Sequence, residues 1–229
     1  EDPYETATAC CCLDCDDLWL PEKLEYSVRI LDNQRELGLV YSSCYLIDAD
    51  GEIVETVKSK ANLANAYREL LNKNFIIAPT VVMRRSCLES VGLFDEGIFI
   101  PADWDLWLRF AQRFPIGYID RPLSKYRQAS NYSLRNLDQF FEESMHVLDK
   151  NIKNSADFAA LEKKKIYNRL FLKYSNGHRE IGNLSKARQI LMITIKRDPC
   201  QWQAYLLYLI SFLGQNAIFI IRRIVNRLC

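Results

Sequence analysis

Strand-like segments occur only before Ser133, and this boundary limits what the chain can fold into. Up to it, short runs rich in Val, Ile and Tyr alternate with segments whose apolar residues recur every three or four positions, which is typical of an α/β fold. Beyond it only the helical period is present, and Asn, Gly and Pro separate one helical segment from the next. The sequence therefore predicts an α/β part over residues 1–132 and an all-helical extension over residues 133–229.

The net charge changes sign at nearly the same place. Residues 1–132 carry 14 basic and 21 acidic side chains (−7), and residues 133–229 carry 16 and 8 (+8), which together give the overall charge of +1. Two parts of opposite charge indicate two different kinds of partner. Nucleic acid is not expected, because the second part has no recognised binding motif and its basic residues are spread over several helices.

The periodicity predicts individual elements in each part. Asp50-Gly51 is typical of a tight turn between two antiparallel strands. Residues 182–199 resemble the second helix of a tetratricopeptide unit, and a single unit predicts a local helical hairpin. Strands are predicted at 9–13, 39–47, 76–83, 116–119 and 123–127, and helices at 21–36, 63–72, 86–91, 103–113, 134–153, 157–174, 184–196, 201–213 and 217–228.

The eight cysteines do not form a recognisable disulfide or zinc pattern. Three of them are consecutive, and neighbouring residues in a strand point to opposite faces. Cys12 and Cys15 have one CxxC-like spacing, with no second pair and no nearby His. We expect the cysteines to be small buried apolar residues in a reducing compartment.

Three aspartates follow the first predicted strand within four positions: Asp14, Asp16 and Asp17. Carboxylates this close repel one another, and a hard divalent cation, which takes oxygen ligands and can bridge to nucleotide phosphates, would relieve the repulsion. The alternative is that Asp16 or Asp17 caps the helix that begins near Pro21, while Asp14 only ends the strand. The spacing alone leaves both alternatives open.

A further aspartate, Asp103, begins the helix predicted at 103–113. It follows a loop that contains Gly97 and Pro101. It is either the N-cap of this helix or a side chain aimed into a cleft.

The same helix carries two tryptophans and one charge pair. Asp105 and Arg109 are four residues apart and are predicted to form an exposed ion pair. Trp104 and Trp107 favour a place in the core, and sugar contact beside a carboxylate is the alternative.

Five segments occur in an order and at spacings that resemble family 2 glycosyltransferases. They are LDCDDLWLPEKL, GLVYSSCYLIDADGEIV, TVVMRRSCLESVGLFDEG, ADWDLWLRFA and IDRPLSKYRQ, and they lie within about residues 9–133. A lone DxD is a weak signal, whereas five ordered segments are a strong one. The resemblance implies a partial GT-A fold, with a Rossmann-like sheet and helices on both of its faces, followed here by the all-α C-terminal extension.

The resemblance also implies a reaction and the residues that perform it. Family 2 enzymes transfer a sugar from a nucleoside-diphosphate sugar to an acceptor hydroxyl with inversion. Asp14 and Asp16 match the DxD pair, with Asp16 as a ligand of Mg²⁺ or Mn²⁺ and Asp14 on the ribose or the metal. Asp103 matches the base that accepts the proton of the acceptor hydroxyl. The candidates for substrate contact are Asp17, Arg85, Trp104 and Arg127, with surface ion pairing as the alternative for the two arginines.

The sequence also differs from the family. Ala102 stands where many relatives have Glu, and Ala129 stands near the place where relatives often have His. The family begins with a strand and turn such as VSVIIPTYN, and without it we expect a truncated domain that binds nucleotide sugar weakly and turns over little. The rival interpretation is a non-catalytic remnant whose helices contact a partner or a membrane.

The C-terminal residues suggest a way to reach a membrane surface. Residues 204–221 are largely apolar but are interrupted by Gly214-Gln215-Asn216, so they fall short of the roughly twenty residues of a spanning helix. Arg222, Arg223 and Arg227 follow. Either this helix packs on its neighbours, or it attaches peripherally to anionic lipid, which would suit a saccharide or lipid-linked acceptor. The expected location is cytoplasmic, with any such contact at the inner face of the membrane.

Overall fold

The structure, a computed structural model, describes residues 8–59, 61–127, 136–153 and 155–212. The chain divides into two units, Glu1–Asn131 and Tyr132–Cys229. Among the described residues, every strand lies in the first unit and the second unit is helical, so the predicted α/β fold followed by an all-α extension is confirmed. The helix predicted at 217–228 lies outside the described residues.

A mixed sheet forms the centre of the first unit. Its strands are β1 (Ala9–Cys11), β2 (Leu18–Trp19), β3 (Leu39–Ile47), β4 (Ile53–Val57), β5 (Val81–Arg84) and β6 (Ile116–Arg127). Their order is β1-β5-β3-β6-β2, and β4 also pairs with β3. The pair β3–β6 is parallel and the other pairs are antiparallel.

The central strand β3 is buried along most of its length, as expected of a strand that is covered on both faces. β5 pairs with Leu39–Tyr41, and β4 pairs with the later residues of β3 from Cys44 onward. A turn at Asp48–Gly51 joins β3 to β4, and Gly51 supplies its positive φ of 91°. The predicted hairpin is therefore confirmed.

Four α-helices surround the sheet in the described part of the first unit. They are α1 (Lys23–Asn33), α2 (Ala66–Asn72), α3 (Arg85–Val91) and α4 (Ala102–Arg113). The helix α4 contributes most to the core, with Leu106, Trp107, Leu108 and Phe110 all fully buried. A Cβ on Gly38 would lie 2.5 Å from Phe114 Cβ, so glycine allows the end of α4 to approach the start of β3.

The structure differs from the predicted strands at three places. Only the later part of the strand predicted at 76–83 is a strand, β5, because Pro79 lies in a 3₁₀ turn at Ala78–Thr80. The strands predicted at 116–119 and 123–127 are one strand, β6, with an irregularity between Ile119 and Pro122 where two extra residues oppose β3. The short strand β2 carries no periodic signal and is not predicted.

The prediction that the cysteines are buried holds at two positions. Cys44 and Cys87 are buried, whereas Cys11, Cys15 and Cys200 are exposed. Each described cysteine is a free thiol. The prediction is wrong for the exposed ones because β1 lies at the edge of the sheet and Cys15 lies in a turn.

The second unit is built from helices. They are α5 (Leu137–Leu148), continued by a π-helical turn (Asp149–Lys153), α6 (Ala160–Glu180), α7 (Leu184–Arg197) and α8 (Trp202–Ile210). Phe171 and Tyr174 of α6 pack with Leu137 and Ile190 in the core of this unit. Gly182, with φ of 82°, joins α6 to α7, and the Asn183 side chain accepts a hydrogen bond from Lys186 N, so the predicted helical hairpin is confirmed. None of the helices in the described ranges is long and apolar enough to cross a membrane.

Candidate active site

A tight turn after β1 carries the three clustered aspartates. Asp17 N donates a hydrogen bond to Asp14 O at 3.1 Å, which closes the turn. Asp14 and Asp16 are exposed, whereas Asp17 is only 5% exposed. The helix α1 begins at Lys23 with Glu22 as its N-cap and no side-chain cap, so the alternative that Asp16 or Asp17 caps this helix is wrong.

Arg127, the last residue of β6, holds this turn in place. Its backbone N–H donates to Asp17 Oδ1 at 2.8 Å, and its Nε donates to Asp16 O at 3.0 Å. Its Nη1 donates to Asp48 O at 2.6 Å and to Ala49 O at 2.8 Å, in the turn between β3 and β4. The side chain thus joins two turns through their carbonyl groups, whereas its predicted contact with substrate phosphate stays a prediction.

Asp103 lies in the first turn of α4, where Pro101 and not Asp103 is the N-cap residue. Its Oδ1 accepts a hydrogen bond from Trp104 N at 2.6 Å, and its Oδ2 accepts one from Asn74 Nδ2 at 3.1 Å. Burial raises the pKa of this carboxyl to about 6, and the nearby Asp14 carboxylate acts in the same direction. Hydrogen bonds from Trp104 N and from the side chains of Asn74 and Trp107 oppose this shift. Asp103 is therefore a partly buried carboxylate held by its own helix and by Asn74.

The carboxylates of the turn after β1 and of the start of α4 act on the same hydroxyl, that of Tyr126. Burial raises the pKa of the Tyr126 hydroxyl, and so do the carboxylates of Asp17, Asp103, Asp14 and Asp16, in that order of size. Asp103 thus contributes to the same electrostatic environment as three aspartates that precede it by more than eighty positions.

Asp17 has no comparable access to solvent. Burial raises its pKa to about 6, with smaller contributions from Asp16 and Asp14, while the hydrogen bond from Arg127 N opposes the shift. Its Oδ2 is buried without a hydrogen-bond partner among the described residues. Ionisation of Asp17 therefore lowers the stability of the folded state.

Two other candidates for substrate contact lie in different surroundings. Arg85 pairs through its backbone with Thr8, at the opposite end of β1 from Asp14, and its Nε lies 2.8 Å from Glu89 Oε1. Trp104 is 8% exposed, and its indole Nε1 donates to Leu70 O at 2.7 Å. Their contact with substrate stays a prediction.

The rest of α4 supports the packing alternative for its aromatic residues. Trp107 is fully buried, so the core location is confirmed for both tryptophans. Asp105 and Arg109 form the predicted ion pair at 2.9 Å, but the prediction that it is exposed is wrong because Asp105 is fully buried. The guanidinium also donates to the carbonyls of Val91, Gly92 and Leu93, which fixes the end of α3.

Comparisons with known proteins show which proteins this chain is similar to. No protein-family model matches the chain. Two similar curated proteins are uncharacterized glycosyltransferases, from Methanocaldococcus jannaschii (28% identical over 150 residues) and Rickettsia conorii (31% over 115 residues). The matches cover 64% and 50% of this chain, and 51% and 19% of those proteins. The match thus spans about half the length of the first relative and a fifth of the second.

Solved structures give the same fold. S. aureus TarS residues 1–349 in complex with UDP superposes with a TM-score of 0.53 at 17% identity, over 85% of this chain and 57% of TarS. A second structure of TarS 1–349 gives a TM-score of 0.54 at 15% identity, over 96% of this chain and 68% of TarS. The chain carries part of a glycosyltransferase fold.

Three residues at or beneath the candidate site were not singled out by the sequence. Tyr126 precedes Arg127 within a segment that resembles the family, and this adjacency is the one signal that could have found it. Asn74 belongs to none of the motifs found in the sequence. Lys23 is fully buried and donates from Nζ to Thr80 O at 2.8 Å, and burial lowers its pKa to about 8. A lysine in the first turn of an amphipathic helix gives no sign of such burial.

We predict that Arg127→Lys loosens both turns of the candidate site, because a single ammonium group cannot replace a guanidinium that donates to three carbonyls. The expected loss is about 2 kcal/mol of local stability. Backbone hydrogen exchange of the 14–17 and 48–51 turns should accelerate about tenfold or more. Arg121→Lys is the control on the same strand, since its guanidinium contacts only the Tyr26 side chain in the described residues. Unchanged exchange in either turn would contradict this role.

We predict that Asp17→Asn stabilises the first unit at neutral pH. Asn retains the Oδ1 acceptor for Arg127 N and removes the buried charge. Because the folded-state pKa of Asp17 is raised from 3.8 to about 6, the wild-type chain loses stability as pH rises through this window. The gain in the variant should be about 1–3 kcal/mol at pH 7.5 and vanish near pH 4.

Urea unfolding at several pH values, followed by tryptophan fluorescence, measures this difference. Asp32→Asn, at an exposed position of α1, is the control. A pH-independent difference between Asp17→Asn and wild type would rule out the buried charge as its cause.

Proposed function

We propose that this chain transfers a sugar from a nucleoside-diphosphate sugar to an acceptor hydroxyl, with inversion at the anomeric carbon. The observation that carries the proposal is the glycosyltransferase fold, which presents an exposed acidic turn after β1 whose Asp14 carboxylate acts on Asp103. Inverting transfer needs a base on one side of the anomeric carbon and stabilisation of the leaving diphosphate on the other. The named relatives and the UDP complex of TarS support a nucleotide-sugar donor.

Asp103 is the proposed base. The acceptor oxygen attacks the anomeric carbon as the bond from that carbon to the diphosphate oxygen breaks, and Asp103 takes the hydroxyl proton. A carboxyl with a pKa of about 6 is ionised at neutral pH and is a stronger base than an ordinary aspartate. The hydrogen bonds from Trp104 N and Asn74 Nδ2 hold it in one orientation.

Asp14 and Asp16 are the proposed ligands of Mg²⁺ or Mn²⁺. Mg²⁺ is commonly bound by one or two carboxylates together with substrate phosphates and water, and two exposed carboxylates on one turn fit this pattern. In the described residues, no group of three or more His, Cys, Asp and Glu side chains is arranged to hold an ion. An ion here would therefore depend on the donor's diphosphate, and when bound it would neutralise charge on the leaving group.

The sequence leads us to expect weak binding of the nucleotide-sugar donor, and this expectation can be measured directly. Isothermal titration of the chain with UDP-, GDP- and dTDP-sugars and Mn²⁺ measures it. Binding in the micromolar range would overturn that expectation and identify the nucleotide. Absence of binding and of transfer with every donor would favour the rival interpretation of a non-catalytic chain.

Peripheral membrane contact is proposed for the second unit. Trp202, Leu209 and Phe212, in and just after α8, are more than half exposed at 67%, 65% and 60%. The basic residues Arg222, Arg223 and Arg227, on which the electrostatic part of this proposal rests, lie outside the described residues. A saccharide or lipid-linked acceptor would then be met at the membrane surface.

We predict that Asp103→Asn abolishes transfer and leaves donor affinity unchanged, because the amide cannot accept the proton. The expected fall in kcat is at least about 100-fold. Initial rates with the donor that binds, beside titration of that donor, separate the two effects. Asp120→Asn is the control, since Asp120 is an exposed carboxylate paired with Lys58. Undiminished turnover of Asp103→Asn would refute the assigned base.

We predict that the chain floats with vesicles rich in phosphatidylserine at low salt and less at high salt. Trp202→Asp and Leu209→Asp should each reduce the floating fraction several-fold, because both remove exposed apolar area. Ile181→Asp, at another exposed apolar position of the same unit, is the control. Failure of the wild-type chain to float with acidic vesicles would end the membrane proposal.

A further inference from the structure

Among the described residues, Asn74 is the residue outside α4 whose side chain donates a hydrogen bond to Asp103. It lies in the segment between α2 and the 3₁₀ turn at Ala78–Thr80 and is partly buried. Its Nδ2 donates to Asp103 Oδ2 at 3.1 Å, across 29 positions of sequence. No segment that resembles the glycosyltransferase family includes this residue.

The orientation of the Asn74 amide is set by its own surroundings. Its Oδ1 accepts a hydrogen bond from Ile76 N at 3.3 Å, and Ile76 is only 2% exposed. Because a side-chain amide has its acceptor and its donor on opposite sides, this bond directs the NH₂ group away from Ile76. The donor that faces Asp103 is therefore fixed by a buried part of the backbone.

The elements that carry the two residues are also tied together. Trp104 Nε1 donates to Leu70 O at 2.7 Å, which joins the first turn of α4 to α2. Asn74 follows α2 by two residues, and Asp103 precedes Trp104. The hydrogen bond from Asn74 to Asp103 therefore lies close to a first bond between the same two parts of the chain. This arrangement leaves Asn74 and Asp103 little freedom to separate.

The hydrogen bond from Trp104 N constrains the Asp103 carboxyl less than the bond from Asn74 does. Trp104 N belongs to the next residue, so its bond to Oδ1 forms within one local stretch of chain and cannot link the carboxyl to the rest of the site. Only the bond from Asn74 connects the carboxyl to a second element through a side chain in the described residues. Loss of that bond would leave the carboxyl held only by Trp104 and Trp107 of its own helix.

We propose that Asn74 is a positioning residue that fixes the orientation of the Asp103 carboxylate for proton transfer from the acceptor. The proposal rests on the proposed function, in which Asp103 is the base. A hydrogen bond to the ionised form also favours that form, in opposition to burial and to Asp14. Asn74 thus keeps Asp103 both oriented and ionised near neutral pH.

Two variants of the full chain test this proposal. Asn74→Ala removes the donor. Asn74→Asp keeps the size of the side chain and the acceptor for Ile76 N, but replaces the donor by a like charge. Asn72→Ala is the matched control, because the Asn72 side chain is exposed and its Nδ2 donates to Arg68 O within its own helix.

The first measurement is titration of the Asp103 carboxyl by ¹³C NMR, with the signal assigned by its loss in Asp103→Asn. Asn74→Ala should move the midpoint upward by about one pH unit, as expected for loss of a hydrogen bond to a charged group. Asn74→Asp should move it further because of the added negative charge. Asn72→Ala should not move it. An unchanged midpoint in both Asn74 variants would overturn the proposal.

The second measurement is the pH profile of kcat for sugar transfer. In Asn74→Ala we expect a fall of about tenfold or more at neutral pH, an acidic limb displaced upward by the same amount as the NMR midpoint, and an unchanged KM for the donor. A fall in kcat without displacement of the limb would show a merely structural role and overturn the proposal. Absence of transfer by the wild-type chain would refute the proposed function, while the NMR titration would still decide whether Asn74 controls Asp103.

Discussion

The hydrogen bond between Arg127 N and Asp17 Oδ1 is the contact on which the candidate site depends. β6 pairs in parallel with the buried strand β3, so its last residue has a fixed position. From that position Arg127 bonds the acidic turn by its backbone and its Nε, and the β3–β4 turn by its Nη1. Two surface turns, each too short to be rigid alone, are thereby held by the core of the sheet. The turn that carries the proposed metal ligands is therefore ordered by the protein itself.

The second constraint is the accumulation of negative charge. Four carboxylates act on Tyr126, and two of them, Asp17 and Asp103, have a pKa raised to about 6. The Arg127 guanidinium donates its hydrogen bonds to carbonyl groups, and its charge offsets only part of the rise in the pKa of Asp17. A fold that keeps such charges together sacrifices stability at neutral pH, which is common where a charged ligand is to be bound.

Local periodicity predicted most of the elements, because a helix or a buried strand is visible in about ten consecutive residues. It predicted β3 with its correct ends and the start of α4 to within one residue. It failed where a single residue alters the backbone, as Pro79 does by replacing half of a predicted strand with a 3₁₀ turn. It also missed β2, since two residues that pair with β6 have no period to detect.

The candidate site shows a different limit. The types of residue at Asp14, Asp16 and Asp103 suggest the chemistry that is proposed for them, and this assignment stays a prediction. The family resemblance suggested Arg127 for substrate contact, and surface ion pairing was the alternative; its guanidinium donates instead to protein carbonyl groups 78 to 111 positions away. Backbone carbonyls have no sequence signature, so neither this contact nor the burial of Asp105 could be predicted from residue types.

The four carboxylates differ in the protein groups that contact them, and this difference indicates different roles. Asp14 and Asp16 are exposed, so each can bind a charged ligand without displacing a protein contact. Asp17 and Asp103 share the same direction and cause of pKa shift, but they differ in what holds them. Asp17 is bonded by the backbone of β6, and a change there would disturb the sheet. Asp103 is bonded by a side chain, Asn74, and by its own helix, so its proton affinity can be tuned by substitution without altering the fold. This difference, and not the value of the pKa, supports the proposal that Asp103 is the carboxylate that gains and releases a proton.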